Sequence, residues 1–290
     1  MTDNEKKPIL PKPPWLKVRA GRDDRYRQVQ SLLKEQHLHT VCQEANCPNR
    51  GECFSSGTAT FLILGPTCTR NCRFCNVTHG AAAPVDTNEP AHVARTVEIL
   101  QLRHAVITSV TRDDLPDGGA AQFAAVINAI RALERKVSVE VLTPDFKGNR
   151  ESLGTVFEAD PDIFNHNVET VPRLYPAVRP QADYERSMNV LRFASESGRM
   201  AVKSGLMVGL GETIDELENL FFDLYQAGVE YLTIGQYLAP SQNHYPIAKF
   251  YHPDEFLDLG RRAEKIGIKY VFSAPLVRSS YHAGEQFHSQ

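Results

Sequence analysis

Three cysteines in CTRNCRFC (Cys68, Cys72 and Cys75) and three in CQEANCPNRGEC (Cys42, Cys47 and Cys53) are the residues of this chain best suited to chemistry. They are its only six cysteines, and none follows Cys75. Cysteines kept for packing would scatter along the chain, whereas two tight triads indicate metal or redox chemistry. Structural zinc asks for four soft ligands, commonly as CxxC pairs, and neither triad supplies them. Three thiolates can hold three corners of a cubane iron–sulfur cluster and leave its fourth iron open to a molecule that reacts. Phe74 stands just before Cys75, the last cysteine of CTRNCRFC.

The 290 residues are 42% hydrophobic, which suits one large domain or two small ones. A net charge of -3, from 32 basic and 35 acidic residues, gives no global bias toward nucleic acid or membrane. The opening MTDNEKKPILPKPPWLK contains no apolar run of signal-peptide type. No stretch approaches the ~20 apolar residues of a bilayer span. A cytoplasmic protein is expected, with thiols kept reduced for a metal rather than paired in disulfides.

The triads must be held by elements that the hydrophobic pattern outlines. Residues 1–15 read as a loose proline-rich arm, followed by a helix over Asp23–Leu38 and a cysteine loop over Cys42–Cys53. Apolar runs predict strands at Thr60–Gly65, Ala105–Val110, Ser138–Leu142, Ile163–Asn167, Val202–Val208 and Tyr231–Ile234, with Tyr270–Ser273 a further candidate. Between them, helical periodicity runs over Ala91–Leu102, Ala120–Leu133, Tyr184–Glu196, Ile214–Gln226 and Asp254–Lys265. Strands alternating with helices imply parallel pairing, because parallel strands need a crossover. Six such units are too few for the eight of a closed barrel. The expected fold is α/β, a partial (β/α)6 TIM-like barrel, with a doubly wound sheet as the second choice. The expected division is 1–53 as an N-terminal extension with one cysteine triad, 54–274 as the barrel, and 275–290 as a tail capping the open barrel. Chemistry belongs at the C-terminal strand ends, and Cys68, Cys72 and Cys75 lie just past the first strand.

CTRNCRFC resembles the cluster motif of radical S-adenosylmethionine enzymes. With CQEANCPNRGEC, PPWLK, TSVTRDDLPDGGA, HNVET, SGLMVGLGET and RSSYHAG in this order, the chain resembles the lipoyl synthases over nearly its full length. Members of that family insert two sulfurs at C6 and C8 of an octanoyl chain borne by a lysine of a carrier protein. Those C–H bonds are unactivated, so a cofactor must supply a radical. The resemblance implies two 4Fe-4S clusters and S-adenosylmethionine. Cys68, Cys72 and Cys75 would hold the cluster that cleaves S-adenosylmethionine. Cys42, Cys47 and Cys53 would hold an auxiliary cluster consumed as sulfur donor. Its fourth ligand would come from Arg278-Ser279-Ser280-Tyr281, with Ser280 favoured over Ser279. A hard oxygen ligand leaves iron more readily than a thiolate does.

The same resemblance puts Gly118 and Gly119 at the methionyl amino group, although Ala120 stands where the family often has an acid. It puts Met207 beneath the adenine. Asn167 and Glu169 suit ribose hydroxyls, and Arg179 suits a carboxylate or a backbone anchor. Glu140 and Lys203, charges inside apolar strands, either contact the cofactor or pair with each other. Arg70 and Arg73 are expected to be exposed arginines without a special role, and His166 and His282 to be ordinary hydrogen-bonded histidines.

The implied partners are octanoylated lipoyl domains of 2-oxo acid dehydrogenases or the glycine-cleavage H protein, and a flavodoxin- or ferredoxin-type electron donor. No nucleic acid or membrane partner is expected, and a monomer is. Two other readings remain at this stage. One is a sibling sulfur-inserting enzyme acting on a biotin precursor or on RNA, the latter calling for a basic patch. The other is a zinc-stabilised binding module.

Overall fold

The computed structural model describes residues 11–18 and 23–288; the rest of the expected N-terminal arm and the last two tail residues lie outside this range. Seven parallel strands build the sheet: β1 Thr60–Ile63, β2 His104–Ser109, β3 Ser138–Leu142, β4 Ile163–Asn165, β5 Ala201–Val208, β6 Tyr231–Gln236 and β7 Tyr270–Ser273. They hydrogen-bond in chain order, and the short antiparallel strand His39–Thr40 adds an eighth beside β1. The two edges do not pair with each other, so the barrel is open. The six-unit expectation therefore stands, completed by Tyr270–Ser273 as a seventh strand.

The helices are α1 Asp24–Glu35, α2 Val41–Glu44, α3 Arg50–Ser55, α4 Glu89–Ile99, α5 Ala120–Arg131, α6 Arg150–Glu158, α7 Tyr175–Val178, α8 Tyr184–Ser197, α9 Ile214–Gln226, α10 Pro253–Ile266 and α11 Ala283–His288. The crossovers bury apolar stripes; α9, for example, buries Leu217, Leu220, Phe221 and Leu224. Its start is set by a capping box in which the Thr213 hydroxyl accepts from Glu216 N–H and the Glu216 carboxylate accepts from Thr213 N–H. The core is continuous from α1 through the barrel to α10.

Three local expectations change. The segment Cys42–Cys53 is not a plain loop but carries α2 and α3, with Thr40 capping the first through its side chain. Helix α6, outside the segments that the periodicity marks, begins where the Asn149 side chain accepts from the N–H groups of Glu151 and Ser152. The arm residues Pro14–Leu16 are docked rather than loose. Leu16 is buried, and Trp15 Nε1 donates to Tyr251 O at 3.2 Å while its ring packs edge-on against His252.

Candidate functional site

The C-terminal strand ends open onto a cavity of about 920 Å³ lined by all six cysteines. Cys42, Cys47 and Cys53 come from α2, its exit and α3, while Cys68, Cys72 and Cys75 come from the loop after β1. Within each triad the thiols sense one another electrostatically: Cys53 feels Cys42 and Cys47, and Cys75 feels Cys72 and Cys68. Yet among the described residues no three His, Cys, Asp or Glu side chains converge closely enough to hold a single ion. Three thiols in each triad match the three corners of a cubane that a protein needs to hold. Burial, then the neighbouring thiols, pushes Cys53 up to about 12, and burial foremost pushes Cys75 up to about 12 and Cys42 up to about 11. Thiolates there need a nearby positive charge, which an iron core supplies. Cys68 Sγ already accepts two backbone N–H groups, from Arg70 at 3.4 Å and Thr111 at 3.3 Å. The donor sets thus fit two clusters.

Arg70 overturns the expectation of an exposed arginine. Its side chain is 5% exposed and forks two ways. Nε and Nη2 donate to Asp113 at 2.7 and 3.0 Å; Nη1 and Nη2 donate to Asp145 at 3.0 and 2.7 Å. Asp145 is fully buried and also accepts from Arg186 Nη1 at 3.3 Å and Lys147 N–H at 3.1 Å. Burial opposes its charge, but the Arg70 hydrogen bonds and charge outweigh this and hold Asp145 well below the usual carboxylate range. Thr69 extends the tie: its N–H and hydroxyl donate to Thr111 O, and its hydroxyl accepts from Asp113 N–H. The loop bearing Cys68, Cys72 and Cys75 is thereby bound to the loops after β2 and β3. Arg73 is exposed, as expected, and uses only its backbone, donating to Val178 O.

Phe74, Asn167, Glu169, Arg179, Met207 and Ser280 all line the cavity. Arg179 Nη1 donates to the carbonyls of Asn167 and Val168, each at 3.0 Å, whereas Nε is buried with no partner among the described residues. Arg179 itself lines the cavity, so a cationic side chain stands at its wall. Glu169 holds a left-handed backbone, φ 67°, and bridges to Leu206 of β5. Burial pushes its carboxyl up, partly offset by Arg179 and Asn167.

Gly118 and Gly119, expected at the methionyl amino group, and Glu140 and Lys203, left open between cofactor contact and ion pair, are not among the residues that line the cavity. Gly118 and Gly119 form the left-handed turn that starts α5, and a Cβ on Gly119 would meet Leu64 Cδ1 at 2.3 Å. Glu140 and Lys203 pair inside the barrel, Nζ to Oε1 at 3.0 Å. Asn165 donates to Glu140 Oε1 and Lys203 donates to Gln286 of α11. Adjacent registers aim these side chains at each other: Glu140 lies opposite Ile163 of β4, and Asn165 opposite Lys203.

His166 is an ordinary buried histidine: Nδ1–H donates to Thr143 O at 2.9 Å and Nε2 accepts from the Ser187 hydroxyl at 3.1 Å. Burial first, then Arg179, lowers it from 6.5 to about 4. The unfolded chain therefore binds a proton that the folded chain refuses between those values. The stability contribution of neutral His166, complete above pH 6.5, is lost as pH falls toward about 4 and amounts to on the order of 3 kcal/mol. Urea unfolding titrated across that window is expected to show a one-proton slope that His166→Gln lacks. Equal slopes in the two chains would refute the assignment. His282 joins Glu52, Nε2 to Oε1 at 3.1 Å, and Glu285, Nδ1 to Oε1 at 2.9 Å.

Sequence reasoning missed Asp113, Asp145 and Asn49. The first two sit in TRDDLPDGG and TPDF, where only an acid beside a buried turn hints at an arginine partner.

The profile of the Radical SAM superfamily matches residues 62–224. A lipoyl synthase of Methylococcus capsulatus is 54% identical over 279 residues, covering 96% of this chain and 87% of that protein. One of Rubrobacter xylanophilus is 55% identical over 276 residues, covering 95% of this chain and 86% of that protein. Among solved structures, Streptococcus suis SuiB bound to S-adenosylmethionine aligns with a TM-score of 0.58 at 10% identity, over 85% of this chain and 53% of that one. Methylornithine synthase (PylB) aligns at 0.52 and 13% identity, over 90% of this chain and 85% of that one. These structures share the fold. The cysteine triads, the cavity they line and the full-length relatives agree, and the chain belongs to the lipoyl synthase family of the radical SAM superfamily.

Proposed function

We propose that this chain carries two 4Fe-4S clusters and S-adenosylmethionine in one cavity, and that it inserts sulfur at C6 and C8 of an octanoyl-lysine on a lipoyl-carrier protein. The observation that carries the reading is that both cysteine triads line the same space. When bound, the first cluster with S-adenosylmethionine supplies a 5′-deoxyadenosyl radical for hydrogen abstraction, and the second supplies sulfide.

The chain's own residues hold and orient. Cys68, Cys72 and Cys75 ligate one cluster, stiffened by the Arg70–Asp113–Asp145 ties. Cys42, Cys47 and Cys53 ligate the other, with Ser280 as its fourth ligand. Ser280 fits because it lines the cavity and its hydroxyl bonds no described residue, whereas the Ser279 hydroxyl is already engaged by Asn167. Arg179 places its guanidinium charge at the cavity wall, while Phe74 and Met207 give apolar wall. Buried surroundings keep water away from the reacting carbon.

The carrier is an octanoylated lipoyl domain of a 2-oxo acid dehydrogenase or the glycine-cleavage H protein. The electron donor is of flavodoxin or ferredoxin type, and the working unit is a cytoplasmic monomer. Among the described residues no helix is long and apolar enough to cross a membrane.

The test is one turnover assay. Anaerobically reconstituted protein receives S-adenosylmethionine, dithionite and an octanoyl-lysine peptide, with desthiobiotin in a parallel reaction. The expected products are 5′-deoxyadenosine and a peptide heavier by two sulfurs. Sulfur incorporated only into desthiobiotin would overturn the reading.

A further inference from the structure

The chain after β7 runs against β5 and β6, and two glycines make room for it. A Cβ on Gly235 would meet Val277 O at 2.1 Å. A Cβ on Gly205 would meet Thr233 Oγ1 at 2.6 Å, Asn167 Oδ1 at 2.8 Å and Ser279 Oγ at 2.9 Å. Only glycine permits so close an approach.

Ser279 and Asn167 grip each other. Asn167 Nδ2 donates to Ser279 Oγ at 2.7 Å, and Ser279 Oγ donates back to Asn167 Oδ1 at 3.0 Å. The second Asn167 N–H is taken by Glu169 Oε1 at 3.1 Å, which holds the amide in that orientation. Two further ties run from this segment to the triad of Cys42, Cys47 and Cys53. Buried Asn49 donates to Leu276 O at 2.7 Å, and Tyr281 Oη donates to Glu52 Oε1 at 2.8 Å. Ser280 is thus bracketed by Leu276 and Ser279 on one side and Tyr281 on the other, and its own hydroxyl lines the cavity without bonding any described residue.

We propose that Ser279 is a positioning residue that, gripped by Asn167 over Gly205, aims the Ser280 hydroxyl at the auxiliary triad. This rests on the reading of Ser280 as a ligand given above. It gives the adjacent serines separate tasks: one spends its hydroxyl on the protein so that the next can spend its own on iron. It also reassigns Asn167 from a ribose contact to the tail grip, because both of its N–H groups are committed.

The test follows iron release from the reconstituted full-length chain into bathophenanthroline disulfonate. Two phases of about four irons each are expected, one per cubane. Cys53→Ala, which loses the auxiliary phase, identifies it. Removing one or two hydrogen bonds from the ligand's support, by Ser279→Ala or Asn167→Ala, is expected to speed the auxiliary phase about five- to tenfold and leave the other unchanged. Ser279→Thr, which keeps the hydroxyl, restores the unsubstituted rate. A thiolate is the stronger ligand, so Ser280→Cys slows the auxiliary phase and Ser279→Cys does not. An unchanged rate in Ser279→Ala, no rescue by Ser279→Thr, or slowing by Ser279→Cys overturns the grip. Release of about four irons in one phase from the unsubstituted chain would instead overturn the two-cluster reading itself, and the grip with it.

Discussion

Cys53→Ala is expected to abolish sulfur insertion while sparing cleavage of S-adenosylmethionine. Cys53 belongs to the triad on α2 and α3, whereas Cys68, Cys72 and Cys75 stand on a separate loop with its own buried supports. Losing one of three thiolates leaves too few ligands for the auxiliary cubane, so iron in reconstituted protein is expected to fall from about eight per chain to about four. Replacing residues that merely support a metal ligand costs 10- to 100-fold, so loss of the ligand itself should lower thiolated product at least about 100-fold. 5′-Deoxyadenosine should still form. Cys72→Ala, on the other loop, should lose both products. Mass spectrometry of peptide and nucleoside from the same reactions reads all four quantities. Normal thiolated product from Cys53→Ala would end the assignment of the two triads to separate roles.

Asp145→Ala should be the most damaging substitution outside the cysteines. Asp145 is fully buried and binds the Arg70 guanidinium through two hydrogen bonds. Truncating it leaves a buried cation facing only Asp113, and breaking such a pair costs about 3–5 kcal/mol. Urea unfolding of the metal-free chain is expected to show that loss as a lower midpoint with an unchanged m-value. Asp145→Asn should cost less, since the amide oxygen still accepts one bond. The carboxyl is held well below its usual range, so its stabilisation is present above ordinary carboxylate values and is lost only as pH falls through the depressed one. The substitution should therefore show its full effect at neutral pH. The cysteine loop should suffer as well, because Arg70 lies between Cys68 and Cys72, and slower reconstitution of that cluster is expected. A change under about 1 kcal/mol would show that the network is solvated and not a buried anchor.

Most of the barrel was legible because its strands are short, apolar and separated by periodic helices, a pattern written locally. Helix α6 escaped because it is brief and its start depends on one Asn149 cap. The helices α2 and α3 escaped because the cysteines and glycine in that segment read as a loop. Arg70 was misjudged because its burial is imposed by Asp113 and Asp145, which arrive on loops after two later strands. Glu140 and Lys203 were left open between cofactor and ion pair, since either would put charges in apolar strands. Only the neighbouring registers across β4 aim them at each other.

The sequence by itself determined the inventory of candidate ligands: two triads, their spacing, the RSSY segment and a parallel α/β frame to carry them. Ligand spacing and strand periodicity are properties of adjacent residues and survive reading in one dimension. The tertiary structure decided which polar groups are consumed by the protein and which remain for chemistry. It tied Arg70 to two aspartates, Glu140 to Lys203 and Ser279 to Asn167, and among the described residues it left Arg179 Nε and the Ser280 hydroxyl without partners. Those outcomes depend on contacts between segments as far apart as Asn167 and Ser279, where burial makes every unpaired group costly and so dictates the pairing.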